Sequence, residues 1–523
     1  MRRRSRDIPQ HRPAATGHTG QRGSLRGRAH GSLTMALAVL LAMSACTAET
    51  PARPADPPAA GLDAGKGVTA PSPGSPSPSP RTSTAGTDRS GTMTECRGRT
   101  ESSAATVTSP TTASYLGTGS GDVTSGIDIG AGCTIVVGGR LTGSSVLTGA
   151  AKLPRGGAGV VVRLSDDGRR VLSAVRVAGT VDDLEVRRTT GDIAVATDRG
   201  VRVLDASAAT IRWQTREAVR RVAIGDAGTV AALTGTTVRI HDATGKRTGS
   251  VRLAGSTVED VAVDDRTGLV FVAGFTQRGG PCRQVQVPFV RAYRHDGTAR
   301  WRLYDYDPDE LDGLCADSRV NRVAMGRDGE LYLAGEMAGG TSVFTSNGRS
   351  ARTAAPNVAY DKFTTTSNTS DAHLTYFARL NPATGTVKAG QTLLARIDVK
   401  GDKGNTITPA AITADADGRV YVGGSSAYQI AGRSRLRMNG RTLQPYAGGD
   451  AWVLVTSPDL RKRLQWTAWT DGGQAEVTGL AVQGSLVTLA ARVVGPSMYI
   501  TAPVQRAVPA AGSGYFAVWP ARR

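Results

Sequence analysis

The stretch Ala113 to Asp122, ASYLGTGSGD, reads as one outer β-strand followed by a glycine turn, with nothing before it to pair with. Upstream, from Thr47 to about Arg89, Pro alternates with Ser, Ala and Gly, and such a segment has no apolar face to bury. Downstream, one unit recurs: an apolar strand, an Asp-Gly-type turn, a second strand often ending in Gly-Gly or Ala-Gly, a variable loop, then two more strands around another turn. The clearest copies are VEDVAVDDRTGLVFVAGFT from Val258, VNRVAMGRDGELYLAGEM from Val320 and PAAITADADGRVYVGGSS from Pro409, and others begin near Ser125, Val181, Val219 and Val477. These are seven units, and the seventh stops one strand short after GYFAVWPARR. The orphan ASYLGTG is therefore predicted to supply that strand and close a ring of sheets, so that no long edge stays open between the first and last.

Composition agrees with an all-β chain. Of 523 residues 65 are Gly and only 5% are aromatic, so the strands must be built from Val, Ile, Leu, Ala and Thr and joined by tight turns. The formal net charge is +19, of which the first 45 residues carry eight Arg and one Asp, so the remainder stays basic. No RNA-binding sheet motif, zinc-finger spacing or basic helix accompanies that charge. Scattered surface Arg, with a secondary attraction to anionic lipids or wall polymers, explains it better than nucleic-acid binding.

The orphan with its continuation, ASYLGTGSGDVTSGIDIGAGCTIVVGGRLTG, and the segment GDAWVLVTSPDLRKRLQWTAWTDGG are similar to the bacterial seven-bladed β-propeller repeats called SBBP. The resemblance runs from Ala113 to the end, although Gly117-Thr118 stands where the repeat has a Gly pair. It implies a seven-bladed β-propeller in an exported protein and implies no single activity. The blades would start near 125, 181, 219, 258, 320, 409 and 477.

In that arrangement the loop joining strands two and three of a blade and the connection to the next blade share one face, and the two tight hairpins share the other. Cys282 and Cys315 fall on the loop-rich face; Cys133 and Cys96 fall on the hairpin face. The pairs implied are Cys96 with Cys133 and Cys282 with Cys315.

The N-terminal part sets the address. An apolar run from Leu33 to Ala45 follows an Arg-rich leader and is too short to span a bilayer. It ends in Met43-Ser44-Ala45-Cys46, which resembles the lipobox where a diacylated Cys becomes the mature N-terminus. The expected organisation is a lipoprotein signal peptide over 1–45, a disordered Pro/Ser/Gly-rich tether over 46–95 and the propeller over 96–523. Cys46 would anchor the chain to the extracytoplasmic face of the cell membrane.

Residues able to carry chemistry are few. Beyond the leader there are only His241, His295 and His373, the first two on hairpins expected to be solvated, and there is no Gly-x-Ser-x-Gly elbow. Asp305, Asp307 and Asp309 alternate as Ca²⁺ ligands do, but Glu310 stands where an EF-hand loop requires Gly. Trp213, Trp301 and Trp466 recur near the outer strands, where a repeat packs aromatics between blades. The longest insertions, 338–373, 425–449 and 495–513, all join second and third strands and are expected to gather at one mouth. They carry Tyr360, Phe363, His373, Tyr428, Arg435, Arg437, Tyr446 and Tyr499, a mixture suited to a protein or glycan. The expected function is a surface binding platform, the alternatives being an extracytoplasmic lyase or glycan hydrolase, or a structural subunit of an envelope complex; no cofactor is called for beyond Ca²⁺ at the three aspartates.

Overall fold

The computed structural model describes Cys96 and most residues from 104 to 521, the gaps being 118–120, 143–146, 149, 154–156, 281, 340, 361–371, 394, 398–402, 495–497 and 506–511. The leader 1–45, Cys46, the tether 46–95 and Phe363 lie outside the described residues. Every described element belongs to the unit Asp88–Arg523.

Among the described residues there are strands and short 3₁₀ turns but no α-helix. The described residues form seven antiparallel sheets of four strands, two of them with a fifth strand added in parallel at the edge. Their first strands are Val123–Ile129, Val181–Val186, Arg221–Ile224, Ser256–Asp264, Ser318–Met325, Ile407–Ala414 and Ala475–Gln483, and the sheets are numbered one to seven in that order. Each first strand lies against the first strand of the next sheet, and that of sheet seven lies against that of sheet one. The fold is propeller-like. Alternate apolar residues of each strand enter the space between neighbouring sheets: Phe271 and Leu303 of sheet four share one buried cluster with Val323 and Tyr376 of sheet five.

The Gly opposite the first-strand bulge in sheets one, four, five and six has a steric cause. In six sheets the first strand bulges near its start, for example between Val258 and Asp260 and between Pro409 and Ala411. A bulge pushes a carbonyl oxygen toward the partner strand. A Cβ at Gly424 would stand 1.9 Å from the Thr408 carbonyl, at Gly274 2.0 Å from that of Thr257, and at Gly139 2.0 Å from that of Val123. Only glycine fits there.

The orphan strand takes the expected place. Thr112–Leu116 runs antiparallel to Ser513–Pro520, with Tyr115 opposite Tyr515, and completes sheet seven. All five of its residues are buried. Both disulfides form as the propeller arrangement implies, with Cα separations of 5.4 Å for Cys96–Cys133 and 5.2 Å for Cys282–Cys315. The Cys96 carbonyl accepts the Ser485 N–H at 2.8 Å, so the first disulfide holds the N-terminal segment against sheets one and seven.

The course of the three insertions differs in part from the expectation: a stretch of each runs along an outer sheet edge, while the ends of the first two meet where His373, Thr406 and Ala427 are bonded. Val358–Tyr360 adds a fifth strand, parallel to Val387–Leu393, outside sheet five. Arg437–Met438 of the second insertion pairs with Val107–Thr108, and the Ala105 carbonyl accepts the Trp466 N–H of the outer strand of sheet six. Thr501 of the third bridges Ala113, and the Met498 N–H reaches the Tyr115 hydroxyl at 3.0 Å. An outer strand leaves a row of N–H and C=O groups that a long loop can satisfy.

Candidate functional site

The first strands surround a central channel whose lining the sequence reading missed. Near the start of each first strand one residue lines the channel: Asp183, Arg221, Asp260 and Arg322 in sheets two to five, against Gly126, Ala411 and Gly479 in sheets one, six and seven; in every sheet but the third it follows the bulge. Two residues further along, sheets one and two add Asp128 and Glu185, and Arg188 and Arg327 stand at the hairpin end. The cavity among them has a volume of about 140 Å³.

The carboxylates lace neighbouring sheets together. Asp128 accepts the Val186 N–H at 2.7 Å, Asp183 that of Val222 at 3.1 Å, Glu185 that of Ile224 at 3.0 Å and Asp260 that of Val323 at 3.0 Å. Each bond crosses from one first strand to the next. The guanidiniums bind carbonyls further round: Arg188 donates to Gly326 at 3.1 Å and Met325 at 2.6 Å, spanning the channel, while Arg327 reaches Val482 through Nε.

Burial among like charges shifts the channel acids. Desolvation, with the neighbouring Asp128 carboxylate, pushes Glu185 up to about 8, and desolvation pushes Asp183 up to about 6 against the pull of Arg221. Desolvation and the facing Arg188 bring Arg327 down to about 10, and desolvation and Arg221 lower Arg322.

A second site lies on the loop-bearing face where sheets five and six meet. Tyr428 and Tyr446 place their half-buried rings 5.1 Å apart, and the Tyr446 hydroxyl donates to the Ala427 carbonyl at 3.0 Å. The Ala427 N–H binds the Thr406 carbonyl at 2.9 Å, and the Thr406 hydroxyl accepts the N–H of His373 at 3.2 Å. His373 Nδ1 stands 3.3 Å from the buried Glu336 carboxylate, whose other oxygen takes Arg319 Nε at 2.6 Å. Behind the tyrosines, Arg433 Nε and Asp450 pair at 2.8 Å with side chains 4% and 1% exposed, and Arg433 also donates to the Thr470 carbonyl at 2.9 Å. That buried pair fixes the insertion as a rigid rim.

The other site residues named from sequence lie elsewhere. Arg435 is exposed and Arg437 is half-buried, donating to the Ser434 and Leu436 carbonyls at 3.1 Å on the strand that meets Val107–Thr108. Tyr499 is buried at the edge of sheet seven, its carbonyl taking the Tyr515 hydroxyl at 2.6 Å and its ring facing Arg441. Tyr360 contributes its backbone to the edge strand of sheet five.

Asp305, Asp307 and Asp309 do not form a cation site, which corrects the Ca²⁺ expectation. Arg291 grips Asp305 in a fork at 2.7 and 2.6 Å, Arg278 stands 3.5 Å from Asp307, and Asp307 caps the turn Pro308–Glu310. Among the described residues no three His, Cys, Asp or Glu side chains are grouped to hold a metal. His241 is not solvated as expected but buried, stacked on Trp213 at 5.4 Å with Nδ1 3.0 Å from the Gly245 carbonyl. Trp213 and Trp301 do pack between sheets, each beneath a turn glycine of the next sheet, Gly245 and Gly385.

No family model matches the chain, and no curated protein matches it. Among solved structures it is similar to one described as "Structure of U3-55K", with a TM-score of 0.46 and 9% identity over 79% of this chain and 99% of that one. A likeness that distant says nothing about function.

Proposed function

We propose that the chain is an exported, lipid-anchored, seven-bladed β-propeller, closed by its N-terminal strand, that serves as a binding platform on the extracytoplasmic face of the cell membrane. The apolar run ending at Cys46 and the proline-rich tether support export and anchoring, and two disulfides suit an oxidising compartment. The observation that carries the binding role is the rim at sheets five and six, where paired tyrosines stand beside the His373–Glu336–Arg319 array on a support fixed by Arg433 and Asp450. Rigid aromatics with an adjacent polar array are what a protein or glycan partner uses as an anchor. The channel does not compete for this role, since each of its carboxylates is already bound to the backbone of a neighbouring sheet. Saturable binding of the unlipidated chain to isolated cell envelopes, followed by a glycan array, tests the reading. Absence of any saturable binding refutes it.

A further inference from the structure

The central channel holds four carboxylates and four guanidiniums, yet its ion pairing is incomplete. Arg221 stands 4.0 Å from both Asp183 and Asp260, at the outer limit of an ion pair. Arg322 has no carboxylate within that distance among the described residues; its Nε is fixed on the Ala410 carbonyl, and its two terminal nitrogens donate to no described group. Arg221 is held the same way, its Nε 3.4 Å from the Glu259 carbonyl. Two guanidinium forks are thus positioned by backbone carbonyls from neighbouring sheets and line one cavity. At the hairpin end Arg188 spans the channel with its two carbonyl bonds.

We propose that this channel is a binding site for one small oxyanion, a tetrahedral sulfate- or phosphate-like group or a small carboxylate, held chiefly by Arg322 and Arg221. Three observations converge on it. The cavity of about 140 Å³ is close to the roughly 150 Å³ that accommodates a benzene-sized molecule. An anion gives the unengaged ends of Arg322 the acceptors they lack, and it offsets the proximity of two guanidiniums. The charge balance is also favourable. Sheets six and seven bring no charge to the lining, and Glu185, held protonated until about pH 8, leaves four guanidiniums against three carboxylates at neutral pH. Protonation of Asp183 below about pH 6 removes a further negative charge, whereas ionisation of Glu185 above about 8 restores one. Affinity for an anion of constant charge must therefore fall as pH rises from 5 to 9.

The test is calorimetric titration of the full chain with sodium sulfate, inorganic phosphate and acetate, sulfate serving for the pH series because its charge does not change there. The expected result is saturable one-to-one binding that weakens at least tenfold from pH 5 to pH 9. Arg322→Met should weaken it at least tenfold at about pH 6, and Arg212→Gln, on the exposed outer strand of sheet two, should leave it unchanged. If Arg322→Met does not fold, Arg322→Lys keeps the charge but not the fork, and should still bind measurably more weakly than the native chain. The distinction between sulfate or phosphate and acetate tells a tetrahedral from a planar ligand. The proposal is overturned by no saturable binding of any probe, by equal affinity in the folded Arg322 variants, or by an affinity that does not change with pH.

Discussion

Tyr115 offers the sharpest test of closure by the N-terminal strand. It is 1% exposed, its ring meets Tyr515 edge-on at 5.9 Å, and its hydroxyl accepts the Met498 N–H at 3.0 Å. Tyr115→Ala removes a large buried aromatic, which costs about 3 to 5 kcal/mol in a close-packed core. It also leaves the Met498 N–H without its acceptor, a further cost of about 1 to 3 kcal/mol. The sum, about 4 to 8 kcal/mol, is a large part of the total stability of a typical domain. Tyr115→Phe keeps the ring and strands only the N–H, so it should cost about 1 to 3 kcal/mol. Urea unfolding followed by tryptophan fluorescence measures both, since Trp469 and Trp519 are buried in the same cluster. A Tyr115→Ala protein within 1 kcal/mol of the native one, by the same scale, would show that the strand is not part of the closed core.

Three further outcomes follow from the charges and the anchor. Folded Glu185 keeps, up to about pH 8, a proton that the unfolded chain releases near 4.5, so its contribution to stability is lost as pH rises through that window, about 3 to 5 kcal/mol in all; Glu185→Gln should flatten the pH profile of unfolding by that amount, and parallel profiles would contradict the shift. Arg433→Met leaves Asp450 buried and uncompensated and should destabilise by about 3 to 5 kcal/mol in urea unfolding, with part of the loss recovered in Arg433→Met/Asp450→Asn. Cys46→Ala should abolish incorporation of labelled palmitate, and equal incorporation would refute lipidation at that residue.

Much of the fold was legible because the repeat writes local rules into the chain. The Gly pairs at Gly138-Gly139 and Gly423-Gly424 are visible in sequence, and their second members stand where a bulged carbonyl leaves no room for a Cβ. The missing strand was countable, and once Thr112–Leu116 is placed on Ser513–Pro520 the cysteines fall on two faces with one partner each. The channel was harder to see. Asp183, Arg221, Asp260 and Arg322 look like ordinary solvated positions of alternating strands, and three of them, all but Arg221, follow a bulge that the alternation does not show. A trace of them is present, since all four occupy the same place in VDDLEV, VRRVAI, VEDVAV and VNRVAM, two residues after the first Val. The insertions show the opposite limit. Sequence marks where they leave the sheets, but their course depends on which outer edges need covering, and that is settled only when Ala113, Trp466 and Val387–Leu393 are in place.

The rim of sheets five and six carries the functional account, and its most direct measurement compares envelope binding by the native chain and by Tyr428→Ala/Tyr446→Ala. The two rings pack on each other, and among the described residues neither belongs to the buried cluster of sheets six and seven, so the fold should survive their loss. Buried aromatic anchors commonly contribute about 2 kcal/mol each at an interface, so removal of both, about 4 kcal/mol, should weaken binding roughly seven-hundredfold. Unchanged urea unfolding with that loss of affinity is the predicted result. Native affinity in the double variant, with the fold intact, would contradict the account and place the binding surface elsewhere.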